Sequence, residues 1–231
     1  MPTPLDIFLV HGAFADASSW SHVIPILQAT GHRTIGVQLP LSSVEDDAQS
    51  IGRALEGSPR ALLVGHSYGG LVISEAGRDN PNVAGLVYIA AIALDEGEAA
   101  LPFLSAYPVE SAEHYQSDSG GFLVVDRERF PRDFAADVPL QAAQVLAATQ
   151  KPVSASGFNT PVGAPAWKTL PSWYQISEQD AMIHPDAQRF MAGRANSQML
   201  SLPCSHASMI AHPTAIAEFI LSAARSLNER L

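Results

Sequence analysis

A serine flanked by glycines lies in the stretch LLVGHSYGGLVISEAG, from Leu62 to Gly77. An apolar run stops at Val64, Ser67 sits between Gly65 and Gly69, and an apolar stripe with helical spacing follows. This is the pattern G-x-S-x-G at a change from strand to helix. A chain that doubles back so sharply leaves no room for side chains two positions either side of the turn residue, which accounts for both glycines. A hydroxyl on such a turn can attack a carbonyl if an imidazole takes its proton and an acid orients the imidazole. The start of the helix places the Tyr68 N–H beside the serine, where it can stabilise an oxyanion. A second donor is expected from HGAF, His11 to Phe14, where Gly12 allows close approach. Ala13 N–H is the candidate there, with Phe14 N–H as the alternative. Read blandly, the two stretches are a turn serine and a strand end, so the partners decide.

The surrounding pattern supplies places for those partners. LDIFLV, RTIGVQL, ALLVG and VAGLVYIAA are short, mostly apolar runs of the kind buried on both faces of a sheet. Between them lie helical stripes: SSWSHVIPILQATGH with Trp20, Val23, Ile24 and Leu27 on one face, SVEDDAQSIGRALEG with an acidic first turn, and Tyr68 to Arg78. The alternation resumes with SWYQIS, PDAQRFMAGRA, SQMLSL and PTAIAEFILSAARSLNE, whose Pro213 suits a first turn. Alternating strands and helices predict an α/β fold with a mostly parallel central sheet and helices on both faces. G-x-S-x-G on a strand-to-helix turn resembles the nucleophile elbow of α/β hydrolases, and that resemblance implies partners in the chain order Ser, then Asp or Glu, then His. Glu178, Asp180 and Asp186 follow SWYQIS. Asp186 falls in a helix first turn, so Asp180 is preferred and Glu178 held in reserve. His206, after SQMLSL, is the candidate base. His212 introduces the last helix, His184 belongs to the surface or a cap contact, and His22 and His32 are expected to be exposed. His66 is expected to pack away from the serine hydroxyl, and His114 cannot be placed. No histidine pair has metal-ligand spacing, so neither metal nor cofactor is expected.

Between Ala91 and Ser172 the alternation stops for about 80 residues, far beyond an ordinary connection. The chain therefore reads as one domain, residues 1–231, with a cap insertion at about 95–170. A turn is expected at Gly120-Gly121 and a helix near Pro139 to Thr149. Phe14, Phe103, Tyr107, Phe130 and Trp167, with Tyr68, are candidates for a small apolar substrate pocket under this cap. The 231 residues, 47% hydrophobic and 16% charged, fit a folded domain. The formal charge of −10, with no Lys or Arg cluster, argues against a nucleic-acid partner. Cys204 is the one cysteine, so an internal disulfide is impossible and a reducing compartment is suitable. The longest apolar run, Val83 to Leu94, is too short to span a membrane, and the N-terminus lacks the basic region of a signal peptide. A cytoplasmic protein without membrane or nucleic-acid partner is expected. Whether it forms a homodimer is left open.

The chain resembles the α/β-hydrolase superfamily, in the small capped branch of plant methyl esterases and hydroxynitrile lyases. The resemblance rests on FLVHGAFADASSW, IPILQATGH, LLVGHSYGGLVISEAG, EQDAMIHPDAQRFM and SHASM. These stretches cover both ends of the chain well and the cap poorly. In that branch the motif aspartate is followed by a short apolar stretch, a proline and an acid. Asp180 to Asp186 reads this way, which favours Asp180 over Glu178. The resemblance also implies oxyanion donors at Ala13 and Tyr68. The lyases tend to carry a lysine after the histidine and an acid before the serine; here Ala207 and His66 occupy those positions. Hydrolysis of a small carboxylic ester through an acyl-enzyme is therefore expected. The alternatives are lactone hydrolysis, carbon–carbon cleavage, perhydrolysis or cyanohydrin cleavage on the same residues, and a ligand-binding protein on a hydrolase scaffold.

Overall fold

The computed structural model describes residues 5–229. The first part of the chain forms β1 (Asp6–Val10), α1 (Ile24–Ala29), β2 (Thr34–Val37), α2 (Val44–Ala54), β3 (Ala61–His66), α3 (Gly69–Ala76) and β4 (Val83–Ile89). An insertion follows, with α4 (Ala100–Leu104), β5 (Tyr115–Ser117), β6 (Phe122–Val125), α5 (Phe130–Phe134), α6 (Leu140–Thr149), β7 (Val153–Ser154) and α7 (Ser156–Asn159). The chain then returns to the main layer with β8 (Ser172–Ser177), α8 (Pro185–Arg194), β9 (Gln198–Leu202), α9 (Ser208–Ala211) and α10 (Pro213–Glu229).

The main sheet has the order β2-β1-β3-β4-β8-β9, and all of its pairs are parallel. Every residue of β1, β3 and β8 is buried, whereas the edge strand β9 is largely exposed. The continuous apolar runs serve two cores, because successive strand side chains point to opposite faces. Ile7, Leu9, Leu62, Val64, Val87 and Ile89 pack with Trp20, Leu27 and α10. Phe8, Val10, Leu63, Leu86 and Tyr88 face the opposite core, which includes residues of α2, α3, α8 and the insertion. Helix α10 meets its sheet face with Ile216, Ile220, Ala223, Ala224 and Leu227, a stripe of helical period.

One helical stripe divides in the structure. SSWSHVIPILQATGH forms a 3-10 turn, Ala17–Trp20, and then the separate helix α1. Pro25 sits in the first turn of α1, where its missing N–H costs nothing, so the helix starts there instead of running through. Trp20, Val23 and Leu27 are nonetheless all buried on one side.

The insertion builds its own three-stranded antiparallel sheet, β5-β6-β7. Its hairpin turns at Gly120 and Gly121, the latter at φ +77°, while the Asp118 carboxylate accepts from the N–H groups of Gly120 and Phe122. Helix α6 begins at Leu140. The insertion is tied to the main layer by the backbone bond from Ser154 N–H to Leu41 O, 2.9 Å.

The strand order places β1 between β2 and β3, so the chain leaves β1 in one direction and returns on its other side. Crevices at such a reversal, outside the carboxyl ends of parallel strands, are where ligands bind in open α/β sheets. Val10 pairs with Gly65, which sets HGAF beside HSYG at this crevice. The turn after β3 is close-packed. A Cβ on Gly65 would lie 2.5 Å from the Gly69 carbonyl oxygen, and one on Gly69 would lie 2.7 Å from that of His11. Gly65→Ala is therefore expected to destabilise the protein by about 2 kcal/mol or more. Gly52→Ala, on α2 with open space at the Cβ position, should stabilise by about 0.5–1 kcal/mol. Urea unfolding midpoints of the two variants check the contrast; a neutral Gly65→Ala would refute the close packing.

Candidate active site

Ser67 adopts φ +51°, the left-handed region that a side chain rarely occupies. The conformation is held by bonds from Ser67 N–H to Ile89 O, 3.2 Å, and from the N–H groups of Gly70 and Ile92 to Ser67 O, both 3.0 Å. Strain of this kind persists only where surrounding contacts over-determine the backbone. Gly12 lies directly against the turn: a Cβ there would meet the Ser67 Cβ at 2.7 Å. The N–H groups of Ala13 and Tyr68 make no hydrogen bond among the described residues. Two unpaired donors thus belong to the two loops that meet at the serine.

Asp180 and His206 come together across 26 positions of sequence. His206 Nδ1 and Asp180 Oδ2 are 2.7 Å apart, and both side chains are almost fully buried. The carboxylate accepts three further bonds, from Met182 N–H (2.7 Å), Ile183 N–H (3.0 Å) and the Gln188 side chain (2.7 Å). Gln188 also donates to Ile183 O and accepts from Ser177 N–H, so it pins the acid loop to the end of β8. With Asp180 as acceptor, Nδ1 of His206 carries the proton and Nε2 is left as the basic nitrogen. His206 and Ser67 line the same inner cavity, together with Ala13, Phe14, Tyr115 and Met182. Glu178, the reserve acid, points elsewhere and pairs with Arg189.

The loop carrying His206 is clamped from the insertion. Ala207 N–H donates to Phe134 O at 3.1 Å, and Ser205 N–H donates to Asp137 Oδ2 at 3.0 Å. The Phe134 ring meets the His206 imidazole edge-on, with centroids 4.9 Å apart. From below, the His66 ring donates through Nε2 to His206 O at 2.9 Å. Burial, and then the neighbouring His206 ring, hold the His66 imidazole well below its ordinary pKa, so it is neutral. His11 is neutral for the same first reason: burial lowers it to about 4. It accepts from Leu39 N–H at 3.0 Å and donates to Gly12 O at 2.8 Å, bracing the HGAF loop. Asp47 lies in the first turn of α2 but is fully buried. It accepts from Tyr68 OH at 2.8 Å and from Leu41 N–H at 2.7 Å.

The inner cavity shares Phe14, Leu104, Tyr115, Phe158 and Met182 with an outer chamber of about 530 Å3. Phe14 and Tyr107 of the expected pocket wall line this chamber. The structure puts the other candidates elsewhere. Phe103 packs against Tyr107, Phe190 and the Arg194 guanidinium. Phe130 is buried and stacked on Phe134. Trp167 donates to Leu94 O at the base of the insertion. Tyr68 is turned under the serine turn towards Asp47. An aromatic residue count along the insertion cannot separate chamber wall from support, because both are apolar. Leu104, Tyr115, Phe158 and Met182 carried no distinguishing signal in the sequence. Nor did Gln188 or Asp137, whose roles exist only once α8 and the α5–α6 connection are packed. His32 is half-buried and bonded to Leu5 O, His114 pairs with Asp133 at 2.5 Å, and His184 caps α8 beside the chamber. Among the described residues no group of three or more His, Cys, Asp or Glu side chains is placed to hold a metal ion, and no helix is long and apolar enough to cross a membrane.

The family model described as "Alpha/beta hydrolase family" matches residues 7–219. The chain belongs to that family. This hydrolase is 29% identical over 245 residues to a pyrethroid hydrolase of Sphingobium wenxiniae, covering 94% of this chain and 87% of that protein. It is 25% identical over 252 residues to methylesterase 2 of Arabidopsis thaliana, covering 94% of both chains. The crystal structure of a pyrethroid hydrolase from Sphingobium faniae superposes with a TM-score of 0.82 at 26% identity, covering 96% of this chain and 98% of that one. Relatives of this kind support ester hydrolysis as the hydrolase's general chemistry.

The buried neutral histidines give a pH signature in stability. An unfolded histidine takes up a proton near pH 6.5, whereas folded His11 does so only at about 4. Between those values the unfolded state binds more protons, so stability falls as pH drops through this window and levels off below it for this group. His11 alone accounts for about 3 kcal/mol of that loss. Urea midpoints measured from pH 7.5 to 4.5 check it, and His11→Gln should flatten the slope; an unchanged slope would exclude His11 as its source.

Proposed function

We propose that this hydrolase is a serine esterase for small uncharged carboxylic esters, working through an acyl-enzyme on Ser67, Asp180 and His206. The observation that carries the reading is the 2.7 Å bond between Asp180 and His206, whose imidazole shares the inner cavity with the Ser67 hydroxyl. His206 Nε2 takes the Ser67 proton as Oγ attacks the ester carbonyl. Asp180 fixes the tautomer and stabilises the imidazolium that forms. The unpaired N–H groups of Ala13 and Tyr68 receive the oxyanion, and α3 directs its N-terminal dipole at the same place. The imidazolium then protonates the leaving alcohol. Water enters, His206 removes its proton, and the acyl group is released from Ser67 as the acid.

The chamber supports an apolar, uncharged substrate. Phe14, Tyr107, Leu104 and Phe158 line it, and no Lys or Arg does. Glu113 at its lining and the net charge of −10 disfavour anionic esters. The relatives' names, pyrethroid hydrolase and methylesterase, are in keeping with this class. Ala207 is fully buried and supplies no cation for a leaving cyanide, which weighs against cyanohydrin cleavage.

Turnover of p-nitrophenyl acetate is the direct test. Ser67→Ala should lower kcat/KM by about 10^3-fold or more, and Asp180→Asn by about 10^4-fold. Mass spectrometry of enzyme quenched during turnover should find the acetyl group on the peptide containing Ser67. Equal rates for wild type and Ser67→Ala would remove the nucleophile from the scheme.

A further inference from the structure

The inner cavity is walled by alkyl, thioether and aryl groups, with three polar side chains among them: Ser67, His206 and Tyr115. The first two belong to the proposed reaction. Tyr115 has no part in it. It opens β5, where its backbone is fixed by pairing with Val125 and by the adjoining bond from Asp126 N–H to His114 O, 2.8 Å. Its ring stacks on Phe14, with centroids 5.6 Å apart and planes 24° from parallel. It lines both the inner cavity and the outer chamber, so a substrate reaching Ser67 passes it.

Its hydroxyl has no partner among the described residues. The three fully buried tyrosines do: Tyr68 donates to Asp47, Tyr88 pairs with Ser74 at 2.7 Å, and Tyr174 donates to Ala91 O. Tyr115 is only half-buried, so its hydroxyl is left open to the cavity it lines and free to meet a ligand. Burial, and then the carboxylates Asp180 and Asp133, push the Tyr115 phenol up to about 12, so it remains a donor across the working range. An unpaired donor on a stacked ring, shared by the inner cavity and the outer chamber, matches how such pockets fix orientation.

Resting on the esterase reading, we propose that Tyr115 is a specificity-determining residue. Its hydroxyl donates a hydrogen bond to an oxygen acceptor of the substrate close to the scissile ester. The preferred substrates are then apolar esters carrying an ether, keto or hydroxyl oxygen near the ester group, over hydrocarbon esters of the same shape.

Two shape-matched pairs test this. Methyl phenoxyacetate and methyl 3-phenylpropanoate differ by an oxygen in the acyl part; 2-phenoxyethyl acetate and 3-phenylpropyl acetate differ by one in the alcohol part. Comparing each ester between wild type and Tyr115→Phe cancels intrinsic reactivity. Tyr115→Phe keeps the ring and its stacking on Phe14. In at least one pair kcat/KM should fall about 3- to 10-fold for the oxygen-bearing ester and stay unchanged for its hydrocarbon partner. A uniform loss on all four esters, or no change on any, would overturn the proposal. Ser67→Ala is assayed beside them. If it is inactive while Tyr115→Phe keeps the full preference, the Tyr115 role alone fails. If Ser67→Ala matches wild type on every ester, the esterase reading and this role fail together.

Discussion

The turn at Ser67 is the constraint around which the site is arranged. Strand β3 must give way to α3 within two residues, and the reversal brings backbone carbonyls within 2.5–2.8 Å of where Cβ atoms at Gly65 and Gly69 would be. Only hydrogen at those positions lets the strand, the helix and the loop after β1 occupy the same small volume. The strained φ of Ser67 follows from it, and so does the meeting of the Ser67 and Ala13 loops at one cavity. Relaxing the turn would move the hydroxyl and the helix N-terminus together.

Around that turn the polar groups are buried but paired. Asp180 takes four hydrogen bonds, Asp47 takes two, and His11 and His66 are kept neutral and joined to backbone. A buried carboxylate with unfilled acceptor sites would be costly, and a half-satisfied network more so. The cost of burying the two carboxylates is offset by these bonds, and the bond from Asp180 also fixes the His206 ring, while the His66 Nδ1 is left without a partner. His66, beside the serine in sequence, grips the backbone of His206 through its ring.

The insertion has two jobs that oppose each other in sequence terms. Its β5–β6 hairpin and α7 provide chamber wall, which must face a void. Its α5 segment and Asp137 hold the His206 loop, which must be packed tightly. Any change in the insertion that reshapes the chamber therefore acts close to the element that positions His206. Phe134 and Tyr115 belong to this one insertion; one supports the imidazole and the other faces the ligand space.

Local patterns in the chain were enough to establish the α/β class, the succession of the principal strands along the chain, the serine turn, and an acid and a histidine after β8 and β9. Those features depend on short-range physics: residue alternation, helical period, and the room a glycine leaves at a sharp turn. The hairpin at Gly120-Gly121 was legible for the same reason. Tertiary structure alone decided which aromatics face the chamber, that Asp47 is a buried anchor and not merely a helix-end acid, and that Gln188, His11 and Asp137 hold the site in place. Each of these roles is a meeting of side chains from elements far apart in sequence, and burial strips the water that would otherwise satisfy them. Phe103, Phe130 and Trp167 have the same apolar character as Phe14 and Tyr107. What separates them is whether their neighbours close over the ring or leave a space beside it, and that depends on the packing of the whole insertion against the sheet.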